Sequence, residues 1–192
     1  MADNLIYKIY SDKRTVFSLQ EIAMLVNEPD FHKLKQRVNY YVRTNKLLNP
    51  RRGIYAKDNY SLEELACKVY KPAYISMEYV LQKSGVIFQY DSRMTAISYL
   101  SRSITIDENE LVFRKIKNEI LFSSLGITTL TNGVSIASPA RAFLDTLYLN
   151  KTYYFDNIRG VDKNEIIKIL PIFRSARLTK QVQNIIEYAG HK

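Results

Sequence analysis

Cysteine occurs once in this chain, at Cys67, so no internal disulfide can staple the fold. Cys67 stands among apolar residues of an expected helix, which reads as a buried, inert thiol. The only histidines are His32 and His191, too few with one cysteine to build a structural zinc site, and no metal is expected. No glycine pair has dinucleotide-binding spacing and no P-loop is present, so no cofactor is expected. No acidic residue has lysine two positions on, which argues against the commonest metal-dependent nuclease signature. Ser138 and Asp145 fall in no nucleophile motif. The chain is therefore read as a non-enzyme with no catalytic residue. It has no signal-like apolar start and no apolar run near 18 residues, which predicts a cytoplasmic protein without a membrane partner. Repeats and low-complexity tracts are missing as well.

What is present is apolar and basic. Hydrophobic residues make up 46% of 192, enough for a folded core, and the formal charge of +9 favours a polyanionic partner. The excess lies at the ends. Residues 1–60 hold 11 Lys/Arg against 6 Asp/Glu, residues 61–150 hold 9 of each, and residues 151–192 hold 8 against 4.

The stretch from Ser18 to Lys57 organises the rest. Ser18-Leu19-Gln20-Glu21 is a capping box, and Ile22, Leu25 and Val26 give the helix after it one apolar face. Pro29 biases Glu28 out of the helical region and ends it. Asp30 caps the next helix, whose Phe31, Leu34, Val38 and Val42 recur at core spacing. Its other faces carry His32, Lys33, Lys35, Gln36, Arg37, Asn39, Tyr40 and Arg43. Arginine can address guanine, asparagine or glutamine can address adenine, and lysine serves phosphate as a point charge. Leu47-Leu48 and Ile54-Tyr55-Ala56 read as strands around the turn Asn49-Pro50-Arg51-Arg52-Gly53. The expected tip presents Arg51 and Arg52 to a nucleic-acid backbone. Helix, turn, basic helix and hairpin make the order of a winged helix-turn-helix, with double-stranded DNA as the expected partner.

A helix over 2–10, with Leu5, Ile6 and Ile9 inward, should brace this unit. The polar segment Lys57-Asp58-Asn59-Tyr60 is the expected boundary between a DNA-binding domain at 1–58 and a second domain at 61–192. Ser61 and Glu64 begin a helix with a second capping box, closed by Pro72. A helix over 77–83 ends at Gly85. Strand composition then recurs over 86–88, 95–100, 103–106, 111–116, 119–122 and 134–136, neighbours pairing as hairpins around an acidic turn at 107–110. Ser138-Pro139 starts a helix, and Arg141 and Asp145 on it form a structural i, i+4 pair. Asp162 caps another helix, Pro171 interrupts it, and a final helix runs from Phe173 to Tyr188. Arg174, Arg177 and Lys180, three apart, should share a face, read equally as a second phosphate-contacting surface or a solvated stripe. The fold class is α+β: a winged helix-turn-helix, then a domain with a small, mostly antiparallel sheet and C-terminal helices.

Four features resemble the AbiE-type antitoxins, transcriptional regulators of bacterial type IV toxin–antitoxin (abortive infection) systems. They are the N-terminal unit; the wing strand Arg52-Gly53-Ile54-Tyr55-Ala56; Pro72-Ala73-Tyr74-Ile75-Ser76 before a helix closing at Gly85; and Val134 to Asp145, VSIASPARAFLD. The family more often has glutamate where Ala140 stands. The resemblance implies a repressor of its own operon, bound to inverted repeats in operator DNA. It also implies a C-terminal domain that neutralises a nucleotidyltransferase toxin in phage defence, without a stable complex. Alternatives are a kinase-like enzyme that modifies the toxin, or a module whose β-rich middle, of near-zero net charge, grips a protein directly.

Overall fold

The computed structural model describes residues 4–190, with side chains for 5–187. The expected helix start at Ala2 and the histidine at 191 lie outside these. Among the described residues the chain forms nine α-helices and two sheets.

Helix α1 (Asn4–Ser11) leads into strand β1 (Val16–Ser18), then α2 (Leu19–Val26), α3 (Phe31–Arg43), β2 (Leu48–Arg51) and β3 (Ile54–Ala56). The strands form an antiparallel sheet in the order β1-β3-β2. The capping box on α2 is complete: Ser18 Oγ accepts from Glu21 N, and Glu21 returns its carboxylate to Ser18 N at 2.8 Å. Asn27 ends α2 in the left-handed conformation, φ 56°. Asn tolerates that region better than branched residues, and the tight turn lets α3 fold back at once.

The sheet separates two apolar cores. Phe17 and Tyr55 face Leu5, Ile9, Ile22, Leu34, Val38 and Tyr41 of the three helices. Val16, Ile54 and Ala56 face the other way, into the larger core that continues through the rest of the chain. Both faces of β3 are thus covered, as its unbroken Ile54-Tyr55-Ala56 run requires.

Beyond α4 (Leu62–Val69) the chain builds β4 (Ala73–Ile75), α5 (Glu78–Lys83), β5 (Met94–Ser98), β6 (Arg102–Ile106), β7 (Asn109–Lys115), α6 (Asn118–Leu121), β8 (Ile127–Thr129), β9 (Ser135–Ala137), α7 (Pro139–Leu149), α8 (Lys163–Ile169) and α9 (Ala176–Gly190). The six strands run β6-β7-β5-β4-β9-β8. This sheet is mixed: β6/β7, β5/β4 and β9/β8 are antiparallel, while β7/β5 and β4/β9 are parallel. The expected chain of hairpins is therefore corrected. β5 buries all five of its residues, so it takes a central place, and β7 slots beside it in parallel. Only β6 and β7 form the expected hairpin, through the two-residue turn Asp107-Glu108, both at positive φ.

Three further segments differ from expectation. Residues 119–122 are not a strand: 119–121 belong to α6 and Phe122 caps it, because one helical turn puts the adjacent Ile120 and Leu121 both inward, which a strand cannot. Residues 86–88 join neither sheet: Val86 N returns to Leu81 O, and Val86 O accepts from Asn157 N. Strand β8 was not expected; it forms because β9 needs an outer partner.

Helix α7 is the spine of this half. Residues 140–147 are all buried, enclosed by α5, α8, α9 and β9. Its Arg141 and Asp145 pair at 3.1 Å, each side chain fully buried. The remaining donors of Arg141 reach Leu125 O, Ile120 O and Tyr74 Oη at 2.7–2.8 Å. Asp145 accepts from Tyr74 Oη and Ser76 Oγ. Burial pushes the Asp145 carboxyl up, against the pull of Arg141 and the two hydroxyls. Burial likewise drives the Tyr74 phenol well above its ordinary range. Two of the segments quoted for the resemblance, PAYIS and VSIASPARAFLD, therefore meet in one hydrogen-bonded knot. Ala140, at the departure from the family pattern, is fully buried.

Candidate nucleic-acid interface

Asp30 Oδ1 accepts from His32 N and Lys33 N, opening α3. The Lys33 and His32 amides hold the Asp30 carboxyl below its usual range. Leu34, Val38 and Tyr41 turn one stripe of α3 inward, and Val42 is half-buried. Tyr41 extends this stripe toward the C-terminal end, whereas Phe31, expected inward, is 49% exposed at the first helical position.

The opposite surface is open. Lys33, Lys35, Gln36, Asn39, Tyr40 and Arg43 are exposed. Among the described residues, Gln36, Asn39, Val42 and Arg43 line an open cleft of about 600 Å³. Those positions recur at three and four residues, so two amides and a guanidinium stand in one column. No described residue hydrogen-bonds the side chains of Lys33, Lys35, Gln36, Asn39 or Arg43. Arg37 differs from its neighbours: it is half-buried and leans on Glu28 at 3.6 Å.

The hairpin departs from expectation at one position. Arg51 pairs with Ile54 across the strands, so the turn is Arg52-Gly53 alone, with Gly53 at φ 80°. Arg52 is exposed there, and no hydrogen bond or ion pair joins its side chain to a described residue. Arg51 is not presented at the tip. It is half-buried, its Nη2 donates to Tyr70 Oη at 3.1 Å, and its guanidinium lies 4.9 Å from the Tyr70 ring centre.

The second basic stripe is corrected too. Arg174 precedes α9 in a left-handed turn, φ 45°, so it shares no helical face with the others. Arg177 donates to Leu147 O and Tyr148 O and so closes the end of α7. Lys180 alone of the three stands exposed on α9 without such a role.

Sequence reasoning missed contacts that hold the N-terminal unit in place, made from α4 and the residues just after it. Glu64, expected to complete a capping box, is 2% exposed. Its Oε2 accepts from Thr15 N and Val16 N, and its Oε1 from Asn132 Nδ2. Those amides lie on the edge of β1, which has no strand beyond it. Lys68 pairs with Glu21 and Lys71 lies 3.6 Å from the same carboxylate. Burial alone would raise the Glu21 carboxyl; hydrogen bonds from Lys68 and from Ser18 N overcome it and bring it to about 2. The available signal was Glu64 itself, a charge beside the apolar Leu65 and Ala66.

No group of three or more metal-ligating side chains occurs among the described residues, and none of their helices is long and apolar enough to cross a membrane. No family model matches the chain, and no curated protein matches it.

Proposed function

We propose that this protein is a transcriptional repressor whose N-terminal unit binds double-stranded DNA as a winged helix-turn-helix, with α3 in the major groove and the Arg52 tip on the backbone. The observation that carries the reading is the uncovered column of Gln36, Asn39 and Arg43 on α3. Side chains that could pair with adenine and guanine edges stand there with no hydrogen-bond partner among the described residues, flanked by Lys33 and Lys35 for phosphate. The antitoxin role rests on the resemblance of the wing strand, PAYIS and VSIASPARAFLD. On that reading the protein acts in the bacterial cytoplasm, represses its own operon at inverted repeats and antagonises a nucleotidyltransferase toxin without forming a stable complex with it.

The test is anisotropy titration of labelled duplexes over a salt series, comparing the promoter of the protein's own operon with a scrambled duplex of equal length. A specific site should bind about 10³-fold more tightly, and Gln36→Ala or Asn39→Ala should narrow that gap. Equal affinity for both duplexes at physiological salt overturns the reading. The antitoxin half is scored separately: co-expression should restore growth to cells carrying the cognate nucleotidyltransferase.

A further inference from the structure

We infer that Arg51 is a positioning residue of the wing, and that the phosphate contact at the tip belongs to Arg52 alone. The inference rests on the DNA-binding reading above and assigns separate work to two adjacent arginines that sequence treats as equivalent.

The separation follows from the hairpin's register. With Arg51 opposite Ile54, residues 52 and 53 alone make the turn, and Arg51 belongs to the end of β2. Its side chain leaves the sheet toward the residue that ends α4. There it makes two contacts with one partner, a hydrogen bond to the Tyr70 hydroxyl and a stack against the Tyr70 ring. Planar guanidinium suits that combination and ammonium does not. Tyr70 is itself immobile: 8% exposed, edge-on to Phe113 with ring centres 4.8 Å apart. Its backbone carbonyl accepts from Ser98 Oγ, on the central strand β5. The wing is thus tied through Arg51 to the middle of the larger sheet. Both contacts direct the guanidinium toward Tyr70 and away from the tip of the turn.

Four variants test this: Arg51→Ala, Arg51→Lys, Tyr70→Phe and Arg52→Ala, titrated with a mixed-sequence duplex across a salt series. Each lost phosphate contact lowers the slope of log affinity against log salt by about 0.9. Arg52→Ala should show that loss. Arg51→Ala should weaken binding about fivefold to thirtyfold with the slope unchanged. Arg51→Lys should fail to restore affinity despite keeping the charge, and Tyr70→Phe should reproduce part of the loss without touching any DNA-facing residue. A slope reduced by Arg51→Ala and restored by Arg51→Lys overturns the inference while leaving DNA binding intact. Amide exchange over residues 48–56 reads the positioning without DNA: faster exchange in Arg51→Ala and Arg51→Lys supports it, and unchanged exchange overturns it. If the wild-type protein binds no duplex, the DNA-binding reading fails first, and the exchange result still judges the wing's anchor.

Discussion

Arg141 and Asp145 show how much one side-chain pair can organise. A charge without water is tolerated only when every donor and acceptor finds a partner. Here four residues supply them: Tyr74 on β4, Ser76 just after it, Ile120 on α6, and Leu125 ahead of β8. Gly126 belongs to the same knot. At φ 71°, a Cβ there would lie 2.8 Å from the Arg141 Cβ and 2.6 Å from Ile169 Cδ1, so only glycine fits. Arg141→Met should therefore leave Asp145 buried and unpaired, costing about 3–5 kcal/mol in urea unfolding. The double variant Arg141→Met with Asp145→Leu should recover part of that loss; a single variant as stable as wild type would refute the account. The i, i+4 spacing announced the pair, but its burial and its other partners were not legible, because they come from segments 16–71 residues away.

At the scale of elements, α2 has two anchors in one side chain. Glu21 closes the capping box of its own helix and pairs with Lys68 of α4. Its folded carboxyl sits at about 2, below the ordinary glutamate value of 4.5. Between those values the unfolded chain binds the proton and the folded chain does not, so stability rises with pH across that window. The contribution is fully present above about pH 4.5 and is lost as pH falls toward 2. Urea midpoints should drop over that range more steeply in wild type than in Glu21→Gln, and parallel curves would remove Glu21 from the explanation. The helix itself was readable because capping chemistry is local: Ser18 and Glu21 are three residues apart. The second anchor was not, since Lys68 lies 47 positions away.

At the scale of the molecule, the polar segment at 57–60 looks like a linker and does not behave as a loose one. Val16, Ile54 and Ala56 of the first sheet belong to the same apolar core as α4 and the six-stranded sheet. Glu64, Lys68 and Tyr70 bind β1, α2 and β2 across the same boundary. One cooperative thermal transition is expected, with far-ultraviolet dichroism and tyrosine fluorescence coinciding. Two separated transitions would mean that the N-terminal unit melts independently. On the proposed DNA-binding function, such a junction would let a clamped hairpin and helix offer a duplex a fixed surface, at less ordering cost than a tethered head.

What the sequence by itself determined are features written in short range: the caps at Ser18, Asp30 and Ser138, the amphipathic stripes of the helices, and the exposed polar column on α3. Each depends on residues within two turns of one another, where backbone geometry fixes the neighbours. Tertiary structure alone decided the strand order of the mixed sheet, the helical turn at 118–121, the dissolution of the Arg174–Lys180 stripe and the division between Arg51 and Arg52. Those outcomes turn on which distant group reaches a donor, a carbonyl or a ring first. No local pattern encodes that choice, because it is settled only when both cores close at once.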